Sequence, residues 1–535
     1  MQFIKKISNI LIIGLILVLI SSLTYFNSIY NSDLHHWGFI AGHSLDYING
    51  GVLFKNVFVQ YGVGQLVFFK YINYIYQINF SSIGIITSFI YCLNLTILYF
   101  ILKKVSSESI ALFIIVVIFF CNPYVNFPWP DYLASFCLLL FCSFLLFFKK
   151  NKIFIYLLPG FFLFLSILFR TTYIINIFPA LIFYFILVKI DNKFYNKRLV
   201  NSLIVFLFFF SVYIFYLFFN NHLIDWFYQG IGVFRDYVTG SNSIYMSWVV
   251  ENLGSNFWIL IKTLKVLLRF IISAVIPQNI NDFIFLIFFT INLLILFFLL
   301  KKEIPNTPKY IGKILNKFTI NQYDNLLFFF SLLGFFGIVQ SIFYFVFYKN
   351  LNASILFFIP IAVLINCILA INICKKYLKI FFLIIFLISF VNLFQIVKKF
   401  YTINTSLFVS SNIEYFGKRK FLREDLEYYN FLKENLCTKD LIVINLSLDT
   451  NAPYVCSNKR NFMHQYYYFL QFLDNDLFLR VTNGELNDKE VLITSWFYQN
   501  DNLKIYNKIL LPYNLQWWGS SSNSKFHYLY KKNID

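Results

Sequence analysis

Ionisable side chains are scarce in this sequence, and the stretch from residue 30 to 65 concentrates them. It reads Tyr30-Asn31-Ser32-Asp33-Leu34-His35-His36-Trp37-Gly38, then Asp46-Tyr47-Ile48-Asn49-Gly50-Gly51, then Lys55-Asn56-Val57-Phe58-Val59-Gln60-Tyr61-Gly62. A carboxylate followed at two and three residues by imidazoles suits general acid–base chemistry, since one group takes a proton while its neighbour orients it. Trp37 beside them is expected to desolvate the carboxylate in part and so make it a better base. Asp33 has a second reading that the sequence leaves open, as the N-cap of the apolar segment that follows. Asp131, behind Pro128-Trp129-Pro130, reads either as a helix N-cap behind a rigid turn or as a group with a catalytic or metal role. Arg170, in Leu168-Phe169-Arg170-Thr171-Thr172-Tyr173, ends an apolar run. A guanidinium is costly there unless it snorkels or meets an anion, and its fork of donors suits a phosphate. Lys349 precedes another apolar run and reads either as a second such cation or as an interfacial lysine. Asp33, His35 and His36 lie too close together for a full metal-ligand set, so no cofactor is expected, with a divalent cation as the alternative.

The chain that must hold these groups is far from an ordinary soluble one. Its 535 residues are 59% hydrophobic, 22% aromatic and only 13% charged, with mean hydropathy +0.67. Many apolar residues sit in runs long enough to cross the hydrocarbon layer of a bilayer as helices, which takes roughly 20 residues. Eleven spans are expected, near residues 10–29, 82–102, 109–121, 131–148, 153–169, 172–188, 200–219, 282–300, 325–347, 353–373 and 380–397. Strict alternation then gathers 19 Lys and Arg against 4 acids on one side, and 8 against 7 in the opposite connections. By the positive-inside rule the first side, with the N-terminus, is cytoplasmic. The net charge of +19 is thus a topology signal, and no nucleic-acid partner is expected. Residues 257–276 carry Lys262, Lys265 and Arg269 on one helical face and read as an amphipathic interfacial helix. Residues 63–80 read as another, leading into the second span.

From residue 398 onward charges become frequent and apolar runs shorten. The expected architecture is therefore an all-α polytopic membrane region, residues 1–397, followed by a small extracytoplasmic α/β domain, residues 398–535. Within the latter, Arg423 to Leu436 has apolar residues at helical spacing, and Leu441 to Leu446 and Val491 to Thr494 suit buried strands. Cys437 and Cys456 alone of eight cysteines lie in this tail, where they either pair or remain thiols. Trp517 and Trp518 read as packing this domain's core or as resting on a membrane or a sugar.

An acid, a His-His pair and a Gly, then a helix with Asp and a small turn, then a basic residue and a Gln-Tyr-Gly turn form a recognisable order. In these residues the chain resembles the polyprenyl-phosphate-sugar-dependent glycosyltransferases of the GT-C superfamily, notably bacterial relatives of the protein mannosyltransferases. The matching positions are Asp33, His35, His36, Gly38, Asp46, Gly50, Lys55, Gln60, Tyr61 and Gly62. Asn56 stands where the family commonly has Asp, and Val63 where it usually has Pro. The resemblance is strong over about 35 residues and weak over the rest. It implies that Asp33 is the catalytic base and that His35, His36, Asp46, Lys55, Gln60, Tyr61 and Arg170 bind substrate, with Asp131 and Lys349, read from the sequence alone, as further substrate-binding candidates around the same cavity. It also implies an inverting transfer of a sugar from an isoprenoid-phosphate donor to an envelope glycan, lipid or protein on the outer side of a bacterial inner membrane. A flippase, or a polymerase or ligase, of lipid-linked oligosaccharides is the alternative.

Overall fold

The structure is a computed structural model. It describes residues 2–30, 32–55, 57–105, 107–147, 154–190, 195–227, 229–230, short pieces between 326 and 337, 378–437, 442–446, 449, 451–456, short pieces between 480 and 495, 507–510 and 527–531. Lys349, the interfacial helix expected at 257–276, the spans expected at 282–300 and 353–373, most of the span expected at 325–347, and Trp517 and Trp518 lie outside the described residues.

The described chain is mostly helical with few strands. Its first helices are α1 (Gln2–Tyr30), α2 (Leu34–Ile48), α3 (Val63–Asn73), α4 (Phe80–Val105), α5 (Glu108–Cys121) and α6 (Asp131–Phe147). They are followed by α7 (Phe154–Phe169), α8 (Ile174–Ile190), α9 (Lys197–Phe219), the short α10 (Leu223–Phe227) and, after a gap, α11 (Leu378–Tyr401). Three of these, over Ile7–Tyr30, Phe80–Lys104 and Lys197–Phe219, are long and apolar enough to cross a membrane. Four more apolar helices, in α5 to α8, are shorter. Polar side chains mark several starts: Ser107 caps α5 and Asn196 caps α9, each accepting a backbone N–H three residues on. The expected interfacial helix at 63–80 is helical only to Asn73 and then turns through residues 74–79 into α4.

Packing runs from α1 to α4, from α4 to α5 and α6, from α6 to α7 and from α7 to α9, with α11 against α5. A large apolar core of Leu, Ile, Phe and Tyr side chains fills these interfaces. Gly160 lets α7 approach α9 closely, because a Cβ there would press on the Ser202 carbonyl oxygen and the Val205 side chain. Since successive long helices alternate, one end of the bundle collects the described residues of the connection between 32 and 79, the turn 122–130, the corner 170–173 and the described residues between 220 and 230. Their mutual bonds fix that end: the Val125 N–H donates to Thr24 Oγ1 (2.9 Å), the Thr171 N–H to the Tyr61 carbonyl (2.6 Å), and the Val59 N–H to Gln229 Oε1 (2.9 Å).

The tail returns to this same end. Phe400, in the last turn of α11, meets Phe26 of α1, and Phe408 meets Tyr30. A small antiparallel pair follows, β1 (Phe408–Ser410) with β2 (Lys420–Leu422), then α12 (Arg423–Leu436). A four-stranded sheet has the order β3-β4-β6-β5, with β3 (Ile442–Leu446) parallel to β4 (Glu490–Ser495). Strands β6 (His527–Lys531) and β5 (Asn507–Leu510) complete it by antiparallel pairing. The sequence changes character near 398, yet apolar packing crosses that boundary. Trp37, Phe39, Ile40, Phe58 and Phe80 share one core with Tyr415, Phe416, Tyr428, Tyr429, Val443 and Val491.

Candidate active site

Asp33 stands between α1 and α2, and its carboxylate is used twice. Oδ1 accepts the His36 backbone N–H at 3.0 Å, which makes Asp33 the N-cap of α2, and Oδ2 lies 3.1 Å from His36 Nδ1. The two readings of Asp33 are therefore compatible: capping fixes one oxygen and the imidazole addresses the other. Both side chains are about one-fifth exposed, so the pair is sheltered without being sealed. The His36 ring packs on Phe127 (4.6 Å between centroids) and Trp129 (5.7 Å), which stack on each other. Trp37, the ring expected to desolvate Asp33, is fully buried. Its Nε1 donates to the Asn126 carbonyl at 2.6 Å and its ring lies over Gly84 of α4, where any Cβ would collide with it.

Arg170 closes α7 and is buried, and it meets Asp131 at the start of α6, with Nε 3.4 Å from Oδ2. The guanidinium carbon sits 4.4 Å from the centre of the Tyr61 ring, a favourable placement of a cation over a π face. Tyr61 in turn contacts Phe39 and Trp129. A continuous series of contacts thus links Asp33, His36, Trp129, Tyr61, Arg170 and Asp131 across four connections of the chain. Gly62 makes this possible, because a Cβ there would press on the Leu168 and Phe169 carbonyl oxygens. Arg170, whose fork of donors is expected to suit a phosphate, faces the Asp131 carboxylate in a buried pair, and removing one member of such a pair is costly.

The remaining candidates are placed more loosely. Asp46 lies in the last turn of α2 and accepts the Tyr454 hydroxyl at 2.8 Å, so it is engaged by the tail. Gln60 is half-buried next to Tyr61, and Lys55 stands exposed at a turn closed by its N–H to the Val52 carbonyl. His35 belongs to α2, while its side chain lies outside the description. Among the described residues no three His, Cys, Asp or Glu side chains gather as metal ligands.

Sequence reasoning missed the groups that reach this site from the tail. Arg419 is buried and its Nη1 donates to Ser32 Oγ at 2.6 Å. Asn451 Nδ2 donates to the Leu34 carbonyl at 2.9 Å, and the Tyr415 hydroxyl lies 3.3 Å from the Gly38 carbonyl. Tyr454 lays its ring over Gly42, where a Cβ would strike it. Nothing local in the sequence signals these contacts, which span 377 to 417 residues. Set beside known proteins, the chain matches no family model and no curated protein.

Proposed function

We propose that the chain is a membrane glycosyltransferase of the GT-C type, moving a sugar from an isoprenoid-phosphate donor to an acceptor hydroxyl on the extracytoplasmic side. The observation that carries this reading is the doubly engaged carboxylate of Asp33, capping α2 through one oxygen and paired with His36 through the other, at the end of a membrane-length helix. A base in that position meets a substrate whose lipid tail stays in the bilayer while its headgroup reaches the interface. Asp33 takes the acceptor proton as the hydroxyl oxygen attacks the anomeric carbon, and the C–O bond to the phosphate breaks on the opposite face. His36 holds the second carboxylate oxygen and so limits the orientations available to the first. Arg170, set in place by Asp131 and Tyr61, and Lys55 offset the charge that develops on the departing phosphate. A single displacement inverts the configuration at the anomeric carbon.

The test uses purified protein in lipid nanodiscs with isoprenoid-phosphate sugars. Asp33→Asn is expected to lower turnover by at least about a hundredfold, the usual scale for removing a positioned base, while donor binding persists. Full turnover in that variant removes Asp33 as the base. Wild-type protein that transfers no sugar but, in sealed proteoliposomes, moves lipid-linked glycan across the bilayer identifies a carrier instead.

A further inference from the structure

Asp33 is bracketed by two residues that the tail holds. On its N-terminal side Ser32 Oγ accepts from the buried Arg419 at 2.6 Å, and on its C-terminal side the Leu34 carbonyl accepts from Asn451 Nδ2 at 2.9 Å. Neither tail residue is loose. Arg419 lies beside the rings of Phe80 and Phe421. The Asn451 N–H donates to Asp449 Oδ1 at 3.0 Å, and Asn451 Oδ1 accepts the Tyr415 hydroxyl at 2.9 Å. Asp449 is fully buried and also accepts the hydroxyls of Tyr428 and Tyr429 from α12. The segment 451–456 is then tied to the end of that same helix by a disulfide between Cys437 and Cys456. Between Asn451 and Cys456 lies only the buried turn Ala452–Val455, which also carries the Tyr454 hydroxyl to Asp46.

We propose that Asn451 and Arg419 are positioning residues for the Asp33 carboxylate, and that the Cys437–Cys456 disulfide keeps Asn451 seated, so that Asp33 is set only while that disulfide is closed. The catalytic consequence rests on the reading of Asp33 as the base; the positional one does not. Cys437 is partly exposed and Cys456 is buried, so a thiolate approaches from the Cys437 side. With a dithiol such as dithiothreitol, one thiolate attacks Cys437 Sγ and the protein S–S bond breaks. The second thiolate then displaces Cys437 from the mixed disulfide. Two electrons and two protons pass to the protein, giving two Cys thiols and the cyclic disulfide of the reductant.

Hydrogen exchange of the full chain in nanodiscs reads the position directly, because the His36 amide donates to Asp33 Oδ1 and the Trp37 amide to the Asp33 carbonyl. Reduction by dithiothreitol is expected to speed exchange of these two amides at least tenfold while leaving the middle of α4 unchanged, and reoxidation to restore it. Asn451→Ala with the disulfide closed is expected to do the same, and Arg419→Ala to speed the His36 amide. Equal protection at 36 and 37 in oxidised, reduced and Asn451→Ala protein overturns the proposal. In turnover with an isoprenoid-phosphate sugar, Asn451→Ala lowers kcat per donor-binding site at least tenfold with donor KM within twofold. An unchanged kcat on top of faster exchange overturns the catalytic part. Wild-type protein whose exchange responds as stated but which transfers no sugar removes the transferase reading and leaves the positioning intact.

Discussion

At Asp33 the observed cap and the proposed proton-taking role separate by substitution, since asparagine caps a helix about as well as aspartate does. Asp33→Asn therefore keeps stability close to wild type while losing transfer, whereas Asp33→Ala also loses the cap and about 1 kcal/mol, read from denaturation in detergent. Asp131 and Arg170 call for a different experiment. Their pair is buried, so removing one partner strands a charge, at a cost of about 3–5 kcal/mol, while removing both together is far milder. A double-mutant cycle of Asp131→Asn and Arg170→Met should therefore show strong coupling, and additive effects would mean that the two side chains do not act as a pair. These two groups also show the limits of reading residues one at a time. His36 lies one helical turn from Asp33, so their meeting was visible in the spacing of the sequence. Arg170 stood out as a cation in need of an anion, yet nothing in the linear chain said that its anion was Asp131, 39 residues earlier.

Among the elements, those with a local periodic pattern were legible in the sequence. Arg423–Leu436 forms α12 over the range that its spacing suggests, because Tyr429, Leu432 and Leu436 fall on one buried face. The β-branched runs became β3 and β4, whose Val443, Ile444, Val491 and Leu492 are buried in the sheet. Close approaches between elements were less legible, because they depend on what faces a glycine. Gly62→Ala should loosen the corner where Tyr61 meets α7, at about 1–3 kcal/mol, with loss of the Tyr61–Arg170 contact in a refined structure. The sheet carries its own pH dependence. Burial pushes the Glu490 carboxyl up, but hydrogen bonds from Arg480 and the Asn487 N–H, with the charge of Arg480, outweigh it and hold the group below the usual glutamate range. Its contribution to stability is therefore present above about pH 4.3 and lost as pH falls through the folded value. Asp449 has the opposite sign. Burial raises it against the pull of its hydrogen bonds, so the folded tail keeps that proton longer than the unfolded chain and loses stability as pH rises through the window. Glu490→Gln should flatten the acid limb of a stability profile followed by tryptophan fluorescence, and an unaltered limb would exclude this pair as its source.

Across the whole molecule, the alternation of helices makes a sharp statement about sidedness. Lys55 and Lys418 stand exposed at the end of the bundle that holds the candidate site, and Lys103 and Lys104 at the far end of α4. An impermeant amine reagent added to spheroplasts is expected to modify Lys55 and Lys418 together and to spare Lys103 and Lys104 until the membrane is opened. Modification of all four from outside would contradict the helix order. Composition and charge placement made the membrane character legible, since long apolar runs admit few alternatives. The seating of the tail against α2 was not legible, for it depends on single hydrogen bonds between segments some four hundred residues apart. That separation bears on how the molecule is made. A ribosome delivers α1 and α2 hundreds of residues before Arg419 and Asn451 emerge, so during most of its synthesis the chain carries Asp33 without its clamps. On the proposed reading, newly inserted chains that stop short of Asn451 should be embedded but inert, and competence should arrive late and all at once, when the tail folds back upon the first helices.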